Sequence, residues 1–151
     1  MQEKVLVILK PDCLKRKLEN QIISSILISG LYAEDAKVLI LDGQFLEVMY
    51  KGLQLEHFYQ DLVNFMRSGP CMAMLVTGTE AVERMNRLKY ELRQKHQDFW
   101  TDLSEEDLRL WRENRHPNQK VLNLKLVAAN LIHVCDSEEE STECAKLLFG
   151  A

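Results

Sequence analysis

The sequence predicts an α/β sandwich in which helices cover one central β-sheet. Four short apolar stretches have the length and β-prone composition of strands, and apolar residues recur at helical spacing between them. Internal repeats and low-complexity tracts are absent from the sequence. A chain of 151 residues fits one domain, and a domain of that size buries about 68 to 70% of the surface that its unfolded chain exposes. We therefore expect a single domain over residues 1–151.

The four predicted strands lie at residues 4–9, 31–41, 71–77 and about 130–134. The first is almost continuously apolar, which is typical of a strand covered on both faces, and it ends at Lys10-Pro11-Asp12 because proline cannot continue the hydrogen-bond ladder. The second contains the apolar run 38–41, and the third is the apolar segment that follows Ser68-Gly69-Pro70. The fourth carries His133 near its end.

Helices are predicted between and after these strands by apolar residues at spacings of three and four. The sets are Leu18, Ile22, Ile23 and Ile26; Phe45, Leu46 and Met49 behind the cap Asp42; Phe58, Leu62, Phe65 and Met66; Ala81, Met85, Leu88 and Leu92; and Cys144, Ala145, Leu147 and Leu148. Ser137 and Glu140 have the spacing of a capping box at the start of the last helix.

The segment from residue 94 to about 120 is polar and charged and has the least regular pattern. Ser104 and Asp107 have capping-box spacing, which predicts an inserted helix over residues 105–113. We expect Trp100 and Trp111, which flank this helix, to anchor it against the body of the protein or a partner.

Composition excludes several functional classes. The net charge of −4 argues against a large nucleic-acid surface, and no run approaches the roughly 20 apolar residues that span a bilayer. None of the cysteines, Cys13, Cys71, Cys135 and Cys144, has Cys-x-x-Cys spacing, which argues against a zinc site and a secreted disulfide framework. These features favour a reducing, cytoplasmic setting.

His133 is the first candidate for chemistry, because imidazole has an unperturbed pKa of about 6.5 and is a usable nucleophile at neutral pH. In a strand, His133 and Cys135 share one face. A satisfied core histidine and a Cys135 thiol nucleophile are the alternatives, although no third orienting residue is evident for the thiol. His57, His96 and His116 lack metal-ligand spacing and are expected at the surface. The glutamates after Ser137 are expected to be a solvated helix start.

Four ordered motifs resemble the nucleoside diphosphate kinase family: Lys10-Pro11-Asp12, Ser68-Gly69-Pro70, residues 81–84, and Asn-x-x-His-x-x-Asp-Ser at 130–137. The resemblance covers residues 3 to about 90 and 130–149, and it fails between them, which indicates an insertion at about 94–128. It implies a ferredoxin-like βαββαβ core with a four-stranded antiparallel sheet. It also implies ping-pong transfer of a phosphoryl group through a phosphohistidine.

The resemblance assigns roles to matching residues. His133 matches the phosphorylated histidine, Lys10 the lysine that contacts the transferred phosphate, and Tyr50 the tyrosine that positions that lysine. Four further matches belong to the nucleotide site: Asn130 near the sugar and phosphates, Phe58 stacked on the base, Leu62 as its apolar neighbour, and Asp136 near Mg²⁺, which it touches only through the phosphates.

The sequence also departs from the family pattern. The aligned positions for an arginine, a glycine and a threonine read Asn86, Tyr90 and Leu92, and the loop with a second phosphate arginine has no counterpart. Arg84 and Arg87 are candidate compensating cations, although Arg87 lies about 100° around the helix from the family position. Further cations of the divergent region that could restore a phosphate clamp are Arg93, Lys95, Arg112, Arg115 and Lys120. The family serine and glutamate beside the histidine become Cys135 and Cys144, or Ala145 if the alignment slips by one.

The expected function is therefore phosphoryl transfer between nucleoside triphosphates and diphosphates through His133, with Mg²⁺. The alternative is a catalytically weakened nucleotide-binding or assembly domain, as in divergent relatives within larger, often ciliary, proteins. Family members commonly form homo-oligomers, so we expect a homo-oligomer or a domain of a larger assembly.

Overall fold

A computed structural model of the chain describes residues 2–96 and 103–150. Four strands, β1 (Gln2–Leu9), β2 (Tyr32–Leu39), β3 (Cys71–Thr79) and β4 (Ile132–Val134), form one sheet in the order β2-β3-β1-β4. All three neighbouring pairs are antiparallel. The predicted ferredoxin-like fold with a four-stranded antiparallel sheet is confirmed.

The helices follow the predicted periodicities, with short additions. They are α1 (Pro11–Lys15), α2 (Glu19–Ile28), α3 (Gly43–Met49), α4 (Tyr59–Met66), α5 (Ala81–His96), α6 (Glu105–Arg112), α7 (Gln119–Asn123) and α8 (Glu138–Phe149). A 3₁₀ turn spans Lys51–Leu53 and a π-helical turn spans Leu124–Ala128. None of the helices in residues 2–96 and 103–150 is both long and apolar enough to cross a bilayer.

The core is centred on β1, an inner strand in which residues 5–9 are completely buried. Its register fixes the site, because Ile8 lies opposite His133 and Leu9 opposite Ile132 on β4. Lys10 then follows directly at the end of β1. The pairing of β1 with β4 thus brings residues that are more than 120 positions apart in sequence to one end of the sheet.

The entry to β4 is held in an unusual backbone conformation. Leu131 has a φ of 73°, which is uncommon for a residue with a bulky side chain. Its N–H donates to Asp12 Oδ2 at 3.0 Å, and its carbonyl accepts from the Lys10 N–H at 2.8 Å. These bonds to the Lys10-Pro11-Asp12 segment stabilise the bend, which lies between Asn130 and His133.

A helix forms where the inserted helix was predicted. The hydroxyl of Ser104 accepts from Asp107 N, and the Asp107 carboxylate accepts from Ser104 N. Trp111 Nε1 donates to Asn123 Oδ1 at 2.7 Å, and Asn123 Nδ2 donates to Asp61 Oδ2 on α4 at 2.9 Å. Trp111 therefore links the insertion to α4, whereas Trp100 lies outside the described residues.

Two of the histidines expected at the surface instead contribute to the contacts of the insertion. The side chain of His116 is only 10% exposed and lies 2.9 Å from Asp107. His57 is partly buried, with its ring edge-on to Trp111 at a centroid distance of 5.3 Å. The prediction of a surface position was wrong for both, because His116 packs against Asp107 of α6 and Trp111 of the same helix packs on His57.

Candidate active site

Lys10 is a buried cation at the end of β1. Its side chain is only 2% exposed, and Nζ donates to Asn130 Oδ1 at 2.6 Å, Ala128 O at 3.2 Å and Val127 O at 3.3 Å. Burial, together with the nearby Arg93, lowers the pKa of Lys10 to about 7. The three acceptor oxygens match the three N–H groups of the ammonium form. The segment before β4 thus fixes the position of the ammonium group.

His133 occupies the middle of β4 and is partly buried. Its ring packs edge-on against Tyr50, with the ring centroids 5.4 Å apart at 81°. Burial and the positive charges of Lys10, Lys89 and Arg93 lower the pKa of His133 to about 3. The imidazole is therefore uncharged at neutral pH and has a free nitrogen lone pair, which a nucleophile requires.

Tyr50 follows α3 and is 5% exposed. Burial raises the pKa of its hydroxyl, so this group stays protonated. The buried hydroxyl has no hydrogen-bond partner among the described protein atoms. Because an unsatisfied buried hydroxyl is costly, the group is suited to donate to an oxygen of a bound ligand.

These groups share one cavity of about 500 Å³. It brings together most of the predicted site residues, namely Lys10, Tyr50, Leu62, Asn130, His133 and Asp136. Lys51, Lys89 and Arg93 add positive charge to its wall. A larger cavity of about 760 Å³, lined by β2, α8 and their neighbours, contains none of the predicted residues. The smaller cavity is therefore the candidate active site.

Arg93 is held on the backbone on both sides of the Leu131 bend. Its Nε donates to Asn130 O at 3.0 Å, and its Nη2 donates to Ile132 O at 2.7 Å. Lys89, one helical turn earlier on α5, donates to Asn86 Oδ1 at 3.0 Å. Both cations face the same cavity, so the cavity wall is suited to bind an anion.

Comparison with known proteins identifies the family. The sequence profile described as nucleoside diphosphate kinase matches residues 3–151. The chain belongs to the nucleoside diphosphate kinase family. A nucleoside diphosphate kinase of Ignicoccus hospitalis is 41% identical over 86 residues, which are 57% of this chain and 58% of that protein. One of Methanosphaera stadtmanae is 24% identical over 149 residues, covering 99% of this chain and 87% of the relative.

The match thus spans less than two thirds of the Ignicoccus hospitalis relative. Solved structures agree with the fold over the full length. Nucleoside diphosphate kinase from Encephalitozoon cuniculi has a TM-score of 0.68 at 25% identity, covering 99% of this chain and 90% of that one. The Halobacterium salinarum nucleoside diphosphate kinase in complex with CDP has a TM-score of 0.67 at 24% identity, covering 100% and 90%.

The predicted compensating cations of this family member lie away from the cavity. Arg84 donates to the carbonyls of Thr79 and Ser29, and Arg87 pairs with Glu83 at 3.1 Å on the exposed face of α5. The structure therefore does not bring Arg84 and Arg87 to the site, because they project from other faces of α5. Lys89 and Arg93 occupy the cavity wall instead. Arg93 was among the further candidate cations, and its spacing of four residues from Lys89, one face of a helix, was the sequence signal that could have identified Lys89 as well.

Phe58, the residue matched to the base-stacking aromatic of the family, also has a different environment. It is not among the residues that line the cavity. Its ring stacks on Trp111 of α6 at a centroid distance of 6.1 Å and an angle of 16°. The insertion has thus placed an aromatic side chain against the predicted base platform, a contact that the alignment did not reveal.

The family glutamate beside the histidine is also replaced in an unexpected way. The alignment places Cys144 at that position, but the carboxylate near His133 comes from Glu140, in the first turn of α8. One donor atom each from His133, Cys135 and Glu140 lie within 4.8 Å of one another. A carboxylate thus accompanies the histidine from a different position in the sequence.

Proposed function

We propose that the chain is a phosphotransferase that passes the γ-phosphoryl group of a nucleoside triphosphate to a nucleoside diphosphate through a phosphohistidine at His133. The observation that carries this proposal is that the His133 imidazole and the buried Lys10 side chain line the same cavity. Family membership supports the reaction class.

The first half-reaction begins at the imidazole. Cys135 Sγ contacts His133 Nε2 at 4.0 Å, which leaves Nδ1 as the nitrogen that attacks the γ-phosphorus. The new N–P bond forms as the bond to the bridging oxygen breaks, and the diphosphate leaves with that electron pair. The ring proton stays on Nε2, where the Glu140 carboxylate stabilises the positive charge that develops on the imidazole. The second diphosphate reverses these steps.

The cations of the cavity supply charge neutralisation. Phosphoryl transfer depends mainly on positioning and on stabilising charge on the phosphoryl oxygens. Lys10, Lys89 and Arg93 provide positive charge, and the unpaired Tyr50 hydroxyl provides a neutral donor. Phosphate binding raises the pKa of Lys10 from about 7, because the anion stabilises the ammonium form.

Asp136 suits Mg²⁺ that arrives with the nucleotide. Its exposed carboxylate lies on the cavity wall, and hard oxygen ligands of this kind are those that Mg²⁺ prefers. A single carboxylate together with substrate phosphates is a common way to hold this ion. When bound, Mg²⁺ would neutralise phosphate charge. The substrates proposed here are nucleoside diphosphates and triphosphates, and a homo-oligomer stays a prediction.

The proposal is tested by mixing the purified chain with ATP, Mg²⁺ and a second diphosphate such as GDP, and following GTP formation by chromatography. We expect transfer by the wild type and none by His133→Gln. Lys10→Met should lose about 10²- to 10³-fold in turnover, as for removal of one preorganised charge-stabilising donor. Lys15→Met, which changes an exposed lysine on α1, is the matched control and should leave turnover unchanged. Absence of transfer by the wild type, or undiminished transfer by His133→Gln, overturns the proposal.

A further inference from the structure

A cluster of three different donor groups lies beside the cavity, at the junction of β4 and α8. His133 and Cys135 project from the same face of the chain at the end of β4, and Glu140 reaches them from the first turn of α8. Their donor atoms all lie within 4.8 Å of one another, and Cys135 Sγ is 4.0 Å from His133 Nε2. The sequence argument against a zinc site considered cysteine spacing alone and did not detect this mixed cluster.

The donor set is selective by its chemistry. One imidazole nitrogen, one sulfur and one carboxylate oxygen are ligands that Zn²⁺ uses, whereas Mg²⁺ and Ca²⁺ require oxygen ligands. Three protein ligands leave one tetrahedral position open.

The geometry also fits this ion. With Zn–S of about 2.3 Å and Zn–N of about 2.05 Å, tetrahedral coordination requires a sulfur–nitrogen separation of about 3.6 Å. The 4.0 Å separation observed between Cys135 Sγ and His133 Nε2 is therefore close to that of a formed site. The Glu140 oxygen lies up to 4.8 Å from the other donors, so its side chain must move inward by about 1 Å to complete the site. Cys135 is completely buried while His133 and Glu140 are partly buried, so the site would be shielded on the sulfur side.

We propose that His133, Cys135 and Glu140 form a Zn²⁺ site. On binding, the Cys135 S–H bond breaks, the proton passes to solvent, and the thiolate forms a bond to the metal. The neighbouring Cys144 and burial raise the pKa of the Cys135 thiol, and the metal ion takes the place of this proton on the sulfur. The nitrogen used is Nε2 of His133, because this atom faces Cys135.

Zinc binding has a consequence for the reaction, and only this consequence depends on the proposed function. A neutral imidazole that binds metal through Nε2 carries its hydrogen on Nδ1, which then has no lone pair for attack. Zn²⁺ therefore suppresses phosphorylation of His133. Mg²⁺, which requires oxygen ligands, does not compete for this site. The cluster would make the transferase sensitive to zinc through Cys135.

The test is calorimetric titration of the metal-free chain with ZnCl₂ in two buffers that differ in ionisation enthalpy, so that protons released are counted. We expect one Zn²⁺ per chain and one proton released on binding. Cys135→Ser and Glu140→Gln should lose this binding, with the fold checked by circular dichroism. Glu139→Gln changes the adjacent exposed carboxylate on α8 and should bind as the wild type does.

Titration with Co²⁺ gives a second readout that does not depend on activity, since a thiolate ligand produces an intense charge-transfer absorption band. We expect this band in the wild type and its loss in Cys135→Ser. Absence of one-to-one binding in the wild type, or binding unchanged in Cys135→Ser, overturns the proposal. Because binding is measured without nucleotide, these results are independent of whether the chain transfers phosphate.

Discussion

Replacement of Arg93 by methionine tests how the site is held in shape. Methionine keeps an unbranched stem of similar reach but removes both guanidinium hydrogen bonds, to Asn130 O at 3.0 Å and Ile132 O at 2.7 Å. A hydrogen bond that involves a charged group contributes about 1.5 to 3 kcal/mol. Because Arg93 is partly exposed, we take about 1.5 kcal/mol for each bond, the lower end of that range, and expect a combined loss of about 3 kcal/mol in the free energy of unfolding.

The measurement is urea denaturation of the wild type, Arg93→Met and Arg87→Met. Arg87 lies on the same helix but pairs with Glu83, and these two side chains are 65% and 68% exposed. An exposed pair of this kind contributes at most about 1 kcal/mol. Equal destabilisation by the two substitutions would refute the role assigned to Arg93. Arg93→Met should also lower phosphoryl transfer, while Arg87→Met should not.

Three further predictions concern pH, the insertion and the core. Between pH 6.5 and about 3 the unfolded chain binds more protons at His133 than the folded chain does, so stability falls as the pH falls through this range. Thermal denaturation measured against pH should show a shallower decline for His133→Asn than for the wild type. An identical decline contradicts the lowered pKa assigned to His133. Trp111→Ala frees one face of Phe58, so that the base of ADP can stack on it. Such stacking contributes about 1 to 3 kcal/mol, so the ADP affinity measured by calorimetry should rise by about 5- to 150-fold, while the affinity for pyrophosphate, which has no base, stays unchanged. Equal changes for both ligands exclude this explanation. Ser141→Ala removes the hydroxyl that accepts from the buried Leu6 N–H at 2.9 Å. The free energy of unfolding, measured by urea denaturation, should fall by about 1 to 3 kcal/mol. A decrease below about 0.5 kcal/mol shows that another acceptor satisfies this N–H.

Local patterns predicted the long elements well. The strands, the longer helices and the inserted helix all carry periodic apolar residues or a capping box, so their sequences specify them locally. The short elements were missed for a physical reason. Helix α1 has five residues and begins at Pro11, and the π-helical turn Leu124–Ala128 also has five, which is too few for a period to be recognised.

The candidate site was partly predictable, because the resemblance pointed to Lys10, Asn130 and His133, which line one cavity. The sequence named Arg93 among several candidate cations of the divergent region but could not show which of them reaches the cavity. Arg93 is held at the cavity wall by hydrogen bonds to the backbone carbonyls on both sides of Leu131, and those bonds form only when α5 packs against β4. The stacking of Trp111 on Phe58 likewise depends on how the insertion folds back on α4.

The central claim is that the imidazole of His133 carries the phosphoryl group. The most direct measurement is incubation of the purified chain with ATP labelled in its γ-phosphate, followed by recovery of the protein without added diphosphate. The account predicts label on the wild type that is lost in acid and retained in alkali, and no label on His133→Ala. Equal label on the two proteins, or none on the wild type, would contradict it.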